Sequence, residues 1–458
     1  MHFSHSSNSD SKLHNAFSPD RPIFKCITWL IREAVGALFI FSGFSKAIDP
    51  WGTLFKIEDY LAVLGLDIWP GLVKVGCFAL CAVEFLIGVL LCFGTFRRTA
   101  TWGAAAIMAF MLPLSLWIAT TNPVPDCGCF GDAWVISNWA TFWKNVGICM
   151  GVAWLIFFNR YIGWLVTPAL QWIALLLSGI FIIGIEAAGY MYQPLIDFRP
   201  YPVGSTISDN APDVEPEYKF IYEKNGEKKE FSEDADLPDE ESGWIFIDRV
   251  PVNPPTVDDL VSIRNEKSMR LWDEEGEEDV TEEILTNEGD YLILVMPDLD
   301  KVSIASTWKI NSLHDWAETH GVRMFAAVSS SKKGLEDWKN LSMPEYPIYS
   351  SEDTVLKELV RGNPGVVFVR NGVIIWKSSL RALNTDDFMS PDTDSDPLSF
   401  ARDNEKILFN WSGLYLIVMV ILIGFSFLSK IKIFRRREIT HDDTARHEES
   451  SSHDTPAL

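Results

Sequence analysis

Cysteine is missing from the last two thirds of this chain, because all seven cysteines lie before residue 150. The later part can therefore form no disulfide scaffold and can carry out no thiol chemistry of its own. Histidine is also restricted: six of the eight lie in the polar tails, and the others are His314 and His320. The apolar part lacks histidine, which argues against a buried haem or a histidine-ligated metal there.

Acidic residues are scarce before about Tyr192 and abundant between about Gly204 and Asn404, in a chain with a net charge of -23. An apolar half joined to an acidic half indicates a membrane domain followed by a water-soluble domain. Because an acidic surface repels phosphate groups, we expect no nucleic acid among the partners, whereas membrane lipid is an expected one.

Six apolar runs are long enough to cross a bilayer. They are Ile27–Ala47, Leu72–Phe93, Thr99–Ala119, Trp139–Phe158, Ile162–Ala187 and Ile407–Leu428. The polar N-terminal segment lacks a small-residue cleavage pattern, so we expect the first run to act as an uncleaved anchor. Lys and Arg collect in alternate connections, which predicts cytoplasmic termini and an acidic domain on the opposite side of the membrane.

These features predict seven successive regions. They are a cytoplasmic tail (1–24), a four-helix membrane domain (25–160), a fifth membrane helix (161–190), an acidic β-rich segment (191–285), an α/β domain (286–400), a sixth membrane helix (406–430) and a disordered cytoplasmic tail (431–458). The connection from Asp49 to Pro70 mixes apolar and charged residues. It fits an interfacial amphipathic segment and an ordinary loop equally well.

Two cysteines lie one residue apart in Asp126-Cys127-Gly128-Cys129-Phe130-Gly131-Asp132, a short loop between the third and fourth spans. A thiol pair at the outer surface of the membrane is suited to thiol–disulfide exchange with a compartment outside the cytosol. Gly128 permits the backbone angles that the small Cys-x-Cys ring needs. Lys144, early in the fourth span, is expected to favour a thiolate, and Asp126 and Asp132 to oppose it. The structural alternative is a thiol pair that only pins the loop.

The second span contains three further candidates. Cys77 and Cys81 lie one helical turn apart; they either relay electrons from the loop pair or, as we favour, pack in the core. Glu84 falls near the middle of the span, where a charge is costly, so a function is expected for it. Glu84 either relays protons to a quinone or to the thiols, or forms a structural ion pair with Arg32.

Four stretches share a known pattern: Gly36–Lys46 with Asp49-Pro50, Glu84–Gly88, Asp126–Asp132 and Phe142–Asn145. Together they resemble the DoxX family, specifically its MauE branch of methylamine-utilisation membrane proteins, over roughly residues 27–158. The resemblance implies a four-helix membrane domain linked to thiol redox or to disulfide formation in an exported protein. This chain departs from the simple family form by a fifth span, a large outer domain and a sixth span.

Strands and helices alternate from Tyr291 onward. The predicted elements are a strand at Tyr291–Met296, a helix at Lys301–Thr319, a strand at Val322–Val328, a helix at Ser351–Val360, and two strands at Asn363–Val369 and Val373–Trp376 joined by an Asn371-Gly372 hairpin turn. The first helix is expected to place Ile304, Trp308, Leu313 and Trp316 broadly on one side.

This order resembles the thioredoxin fold, in which Pro364 would match the cis-proline. The Pro297–Asp300 segment stands where the active Cys-x-x-Cys would fall and contains no cysteine. The resemblance therefore implies a redox-inactive domain that binds or positions a client. The alternative is a generic α/β domain.

The sequence thus predicts a multi-pass protein of a bacterial inner membrane, with a large periplasmic domain. We expect it to belong to an envelope thiol–disulfide redox system in which Cys127 and Cys129, with Glu84 and Lys144, exchange disulfides with an exported protein. Electrons would pass to a membrane carrier such as a quinone, and no metal is expected. The alternative is a non-enzymatic membrane scaffold whose outer domain binds a partner.

Overall fold

The computed structural model describes residues 22–124, 126–207, 218–224, 227–232, 245–251, 269–273, 276, 278–286, 288–384 and 404–452, with backbone alone for 218–251 and 432–452. Most of the predicted N-terminal tail, and the predicted α/β domain beyond residue 384, lie outside these ranges. The chain forms two units, residues 1–196 with 403–458, and residues 197–402.

The elements are as follows in chain order. The helices are α1 (Pro22–Ile48), α2 (Pro50–Val63), α3 (Pro70–Phe93), α4 (Arg97–Thr121), α5 (Asn138–Phe157), α6 (Gln171–Met191), α7 (Thr281–Ile284), α8 (Thr307–Thr319), α9 (Lys332–Ser342), α10 (Asp353–Leu359) and α11 (Asn404–Ser452). The strands are β1 (Tyr218–Lys224), β2 (Glu227–Ser232), β3 (Ile245–Pro251), β4 (Asp290–Met296), β5 (Arg323–Val328), β6 (Ile348–Ser350), β7 (Gly365–Arg370) and β8 (Val373–Ser379).

Within the part of the chain that the structure describes, five helices of the first unit are long and apolar enough to cross a membrane: α3, α4, α5, α6 and the Asn404–Ile431 part of α11. Five of the six predicted spans therefore coincide with helices of sufficient length, and the chain is a membrane protein with several apolar helices. The first predicted span lies in α1, which is 27 residues long but not among the five. A crossing by α1 stays a prediction.

Two predicted boundaries are wrong. The fifth membrane helix begins at Gln171 instead of Ile162, because Pro168 lacks a backbone N–H and disfavours a helical conformation at Thr167. The tail predicted to be disordered from residue 431 is helical to Ser452. The ambiguous connection after α1 contains the helix α2, which Asp49 caps by accepting a hydrogen bond from Gly52 N.

Helices α1 and α3 run antiparallel and pack backbone against backbone. A Cβ atom on Gly43 would lie 2.4 Å from Phe85 N, and one on Gly88 would lie 2.5 Å from Ile40 N. Only residues without side chains permit this approach. In the resulting register Cys77 Sγ lies 3.6 Å from Pro50 O, so the first turns of α3 extend beyond the end of α1.

The second unit contains a mixed five-stranded sheet in the order β6-β5-β4-β7-β8. Strands β6, β5 and β4 are parallel, whereas β7 is antiparallel to both β4 and β8. Residues of α8 and α9 pack on one face and residues of α10 on the other, which buries the central strand β4 on both sides. A separate antiparallel sheet has the order β2-β1-β3.

The strand predictions agree with β4 and β5 to within one residue, and the predicted hairpin joins β7 to β8. Its Asn371 and Gly372 both have positive φ, at 50° and 76°, as a two-residue hairpin turn requires. The Asn363–Pro364 peptide is cis. The helix predicted over Lys301–Thr319 begins only at Thr307, after two short 3₁₀ turns.

The late start of α8 changes which residues face the core. Ile304 lies before the helix, so a face counted from that residue is wrong: Ile304 and Trp308 are exposed, whereas Leu313 and Trp316 are buried. The predicted helix at Ser351–Val360 is α10. The elements α7, β2, α9 and β6 were not predicted.

Candidate functional site

The loop between α4 and α5 brings the sulfur atoms of Cys127 and Cys129 to 2.9 Å from each other. Gly128 makes this possible with a φ of +65°, in the left-handed region that favours glycine. The turn is closed by Gly131 N, which donates to Gly128 O at 3.0 Å. Cys127 is buried and Cys129 is half-buried. The two sulfur atoms are therefore positioned for exchange of a proton or for formation of a bond.

Helix α2 holds this loop through two side chains. Lys56 forms an ion pair with Asp126, whose Oδ1 also accepts a hydrogen bond from Gly128 N at 2.7 Å. Tyr60 Oη donates to Cys127 O at 2.8 Å. Burial raises the pKa of Tyr60, so its hydroxyl stays protonated and remains a donor. The segment that sequence left ambiguous is thus a support of the thiol loop.

A buried ion pair joins α1 to α3 beside the loop. Lys46 Nζ lies 2.7 Å from Glu84 Oε2, and the two side chains are 5% and 4% exposed. Ser42 Oγ lies 2.8 Å from the same carboxylate oxygen and 2.7 Å from Cys129 O, and it accepts a hydrogen bond from Lys46 Nζ at 3.2 Å. This network connects the charged pair to the backbone of the thiol loop.

The expected ion pair between Glu84 and Arg32 is wrong. Arg32 instead pairs with Glu33 and donates to Gly163 O at 2.6 Å. The register of α1 and α3 explains the error, because the α3 extension beyond α1 brings Glu84 level with Lys46 and leaves Arg32 several turns away.

Lys144 of α5 closes the site on another side. Its Nζ lies 4.0 Å from the centre of the Phe130 ring, and Phe130 in turn stacks on Trp134 at 5.7 Å. A cavity of about 40 Å³ remains, which is enough for a water molecule. Its polar lining consists of Ser42, Lys46, Glu84, Cys129, Lys144 and Asn145.

The two sulfur atoms have different proton affinities. The hydrogen bond from the Cys127 thiol, followed by the charges of Lys144 and Lys46, lowers the pKa of Cys129 to about 6, although burial and Glu84 oppose this. The same hydrogen bond, together with burial, raises the pKa of Cys127. At neutral pH Cys129 is therefore a thiolate, the nucleophilic form of cysteine, and Cys127 is the thiol that donates to it.

The structure brings together all four predicted site residues, Cys127, Cys129, Glu84 and Lys144, although their roles stay predictions. Sequence reasoning did not include Ser42 and Lys46 in the site. Their spacing of four residues, which puts both on one face of α1, was the available signal.

The second cysteine pair lies beside this site, and Cys81 is close enough to Lys46 for the two to interact electrostatically. Cys77 and Cys81 are fully buried, and neither lines the cavity that contains Cys129. Packing in the core accounts for their position. Within the described parts of the chain, no group of three or more His, Cys, Asp and Glu residues could hold a metal ion.

Every residue of the site lies on one stretch of chain, from Ser42 to Asn145. Residues 25–158 match the family model of methylamine utilisation protein MauE. The MauE match runs from within α1 to the end of α5 and so includes the whole site. Residues 216–252, which contain β1 to β3, match a domain of unknown function, DUF8463. No curated protein and no solved structure matches the chain.

Proposed function

We propose that this protein is a membrane component of an extracytoplasmic thiol–disulfide redox system, in which Cys127 and Cys129 exchange disulfides with an exported protein. The observation that carries the proposal is the 2.9 Å sulfur–sulfur distance, in a loop where Cys129 has a pKa of about 6. A thiolate beside a protonated thiol is the starting arrangement for thiol–disulfide exchange.

The exchange has two steps. In the first, the Cys129 thiolate attacks one sulfur of a client disulfide, forms a mixed disulfide and releases a client thiolate. In the second, Cys127 loses its proton to solvent and attacks Cys129 Sγ, which forms the Cys127–Cys129 disulfide and releases the second client thiolate. The client gains two electrons and the protein loses two; the reverse sequence oxidises a client dithiol.

The distribution of Lys and Arg supports an outward position of the loop, with both termini in the cytoplasm of a bacterium and the sheet unit in the periplasm. A crossing by α1 completes the alternation of six spans. The sheet unit lacks cysteine and is proposed to hold the client. The connection of parallel β4 and β5 through α8, followed by the β7–β8 hairpin beside β4, supports a thioredoxin-like assignment.

A membrane quinone is the electron acceptor that we propose. A cavity of about 690 Å³ between α1, α3, α6 and α11 has an apolar, aromatic-rich lining that suits a lipid-soluble molecule. Its α1 residues, Ile40 and Phe44, lie on the face opposite Ser42 and Lys46, and neither loop cysteine lines it. Electrons from the loop would therefore have to pass α1 to reach a carrier bound there.

Trapping of the mixed disulfide tests the proposal. Removal of the resolving thiol with Cys127→Ser is expected to leave a client attached to Cys129, visible after acid quenching and alkylation as a reductant-sensitive adduct of higher mass. Cys129→Ser removes the attacking thiolate and is expected to give far less adduct. Cys149→Ser, which changes a half-buried cysteine of α5, is the matched control. Absence of any adduct in Cys127→Ser cells would contradict the proposal.

The second candidate function is a scaffold in which the thiols only brace the loop. It is favoured by the number of side chains that hold the loop, namely Lys56, Tyr60 and Ser42. A scaffold predicts that the cysteines keep one oxidation state in every redox buffer, and that no client adduct forms when Cys127 is removed.

A further inference from the structure

The buried pair of Lys46 and Glu84 is not explained by stability alone. Removal of two charges from water is costly, and an apolar pair of similar volume is often as stable or more so. Lys46 is also only two residues from the end of α1, where a long side chain ordinarily extends toward water. Instead its ammonium group turns inward to Glu84 and Ser42, next to the thiol loop.

We propose that Lys46 is a positioning residue of the thiol site, which stabilises the Cys129 thiolate, and that Glu84 is the counter-ion that fixes Lys46 instead of a proton relay. This assignment rests on the proposed thiol–disulfide exchange and deepens it. Two anchors hold the ammonium group, Glu84 Oε2 at 2.7 Å and Ser42 Oγ at 3.2 Å. Ser42 also reaches Cys129 O, so the cation and the sulfur-bearing residue share one support.

Three of the helices that line the cavity around Cys129 contribute charged side chains, whereas the α4 residues there, Ile107, Met108 and Met111, are apolar. Lys46 of α1, Glu84 of α3 and Lys144 of α5 line the cavity that contains Cys129. The remaining groups, Asp126, Lys56, Tyr60 and Cys127, belong to the loop and to its α2 support, where Asp126 and Lys56 neutralise each other. Two cations and one carboxylate therefore face the sulfur.

The charges in the cavity favour the reduced form of the cysteine pair over its disulfide. With Cys129 as a thiolate, two positive and two negative charges meet at the cavity, whereas a Cys127–Cys129 disulfide leaves one positive charge in excess. The cations thus favour the reduced pair, and a disulfide whose reduced form is stabilised is a stronger oxidant. Lys46 is expected to make the Cys127–Cys129 disulfide easier to reduce and to make it an acceptor of electrons from client dithiols.

Charge-removing variants of the purified full-length protein test this role. Lys46→Gln is expected to raise the midpoint of the pH profile for Cys129 alkylation by about one pH unit, a tenfold loss of thiolate at pH below that midpoint. It is also expected to lower the reduced fraction of the pair at a fixed glutathione ratio. Lys46→Arg should restore both values. Lys74→Gln, which removes a cation near Trp51 and away from the cavity, should leave both unchanged.

Glu84→Gln separates the counter-ion role from a proton relay. The glutamine oxygen can still accept a hydrogen bond from Lys46, but the carboxylate charge that opposes the thiolate is gone. We therefore expect exchange to persist and the alkylation midpoint to fall below that of the wild type, opposite to Lys46→Gln. A relay predicts an unchanged midpoint and a large loss of exchange rate, which would overturn the assignment.

The proposal fails if the pH profile of Cys129 alkylation is the same in Lys46→Gln as in Lys74→Gln, while Lys46→Arg shows that position 46 tolerates substitution. Size-exclusion elution in detergent separates this outcome from misfolding. Alkylation of the purified protein needs no client. If Lys46→Gln shifts the pH profile of Cys129 alkylation but Cys127→Ser forms no client adduct, only the proposed function is contradicted. If Cys127→Ser forms the adduct but Lys46→Gln leaves the pH profile unshifted, only the role of Lys46 is contradicted.

Discussion

The hydroxyl oxygen of Ser42 lies 2.7 Å from the carbonyl oxygen of Cys129, which ties helix α1 to the thiol loop. The same oxygen lies 2.8 Å from Glu84 Oε2. One hydroxyl hydrogen can be donated to only one of these acceptors at a time, while the oxygen accepts from Lys46. Ser42 is therefore the branch point between the loop backbone and the buried ion pair.

The conformation of the loop depends on Gly128. We expect Gly128→Ala to separate the two sulfur atoms, because an alanine is strained at a φ of +65° and its Cβ would lie 2.4 Å from Lys56 Cδ. The midpoint of Cys129 alkylation should move toward that of an ordinary thiol. Gly147→Ala in α5, where a Cβ has no neighbour within 4 Å, is the control and should leave the midpoint unchanged. Equal profiles for the two variants would contradict this account of the loop.

The close contact between α1 and α3 gives a stability prediction. Gly43→Ala places a Cβ 2.4 Å from the backbone N of Phe85, so the helices must separate at a cost of about 1–3 kcal/mol. The control is Gly76→Ala in α3, where no atom lies within 4 Å of the new Cβ. It should be neutral or slightly stabilising. Thermal unfolding in one detergent measures the difference. A Gly43→Ala protein as stable as Gly76→Ala would show that the helices are not packed in this way.

The reactivity of Cys129 should follow a pKa of about 6. Because this pKa is lowered from the ordinary value of 9.0, the thiolate persists at neutral pH and is lost only as the pH falls through about 6. Alkylation by a neutral reagent should therefore rise between about pH 5 and 7. Lys144→Gln removes one stabilising charge and should move the rise to higher pH. A wild-type midpoint near 9 would refute the lowered pKa.

Much of the second unit could be predicted from sequence, because its signals are local. The Asn371-Gly372 turn and the apolar runs of β4 and β5 determine the hairpin and two strands without knowledge of the rest of the fold. Helix α9 could not be found in this way, since only Trp338 and Ser342 among its residues are buried. Strand β6 has three residues, too few for a periodic pattern.

The candidate site shows a different limit. The loop cysteines and Glu84 were recognisable from residue type and position, whereas the partner of Glu84 was not. That partner depends on how far α3 slides along α1, and this register is determined by the contacts of Gly43 and Gly88. A count of residues within each span cannot give this register, so it could not show that Lys46 is buried beside Glu84.

A buried charge cluster in the second unit gives a prediction about acid stability. Asp197 pairs with Arg199 at 2.6 Å and with Lys377 at 2.5 Å, and both cationic side chains are almost fully buried. Burial raises the pKa of Asp197, but Arg199 and Lys377 outweigh it and hold that pKa below its ordinary value. The stabilisation is therefore present above the ordinary carboxyl pKa and is lost as the pH falls toward the lowered one.

Asp197→Asn should destabilise the fold around β8 by about 3–5 kcal/mol at neutral pH, because it leaves the buried Arg199 cation without its counter-ion. Burial and the charge of Arg199 lower the pKa of Lys377 to about 7, so Lys377 can lose its proton when Asp197 is removed. The substitution should also remove this part of the acid dependence. The control, Asp353→Asn, breaks an exposed pair with Lys357 and should cost less than about 1 kcal/mol. Hydrogen exchange of β8 in the full chain measures both, and equal protection in the two variants would disprove the prediction.

Reversible oxidation of Cys127 and Cys129 in intact membranes tests the central claim most directly. Membranes of known orientation are equilibrated with glutathione buffers of increasing oxidised fraction, quenched with acid, alkylated and analysed by mass spectrometry of the loop peptide. The account predicts that the two cysteines pass together between dithiol and disulfide, reversibly, with the buffer on the side of the membrane opposite to the termini. A pair that keeps one oxidation state throughout, or that responds only to buffer on the side of the termini, would contradict it.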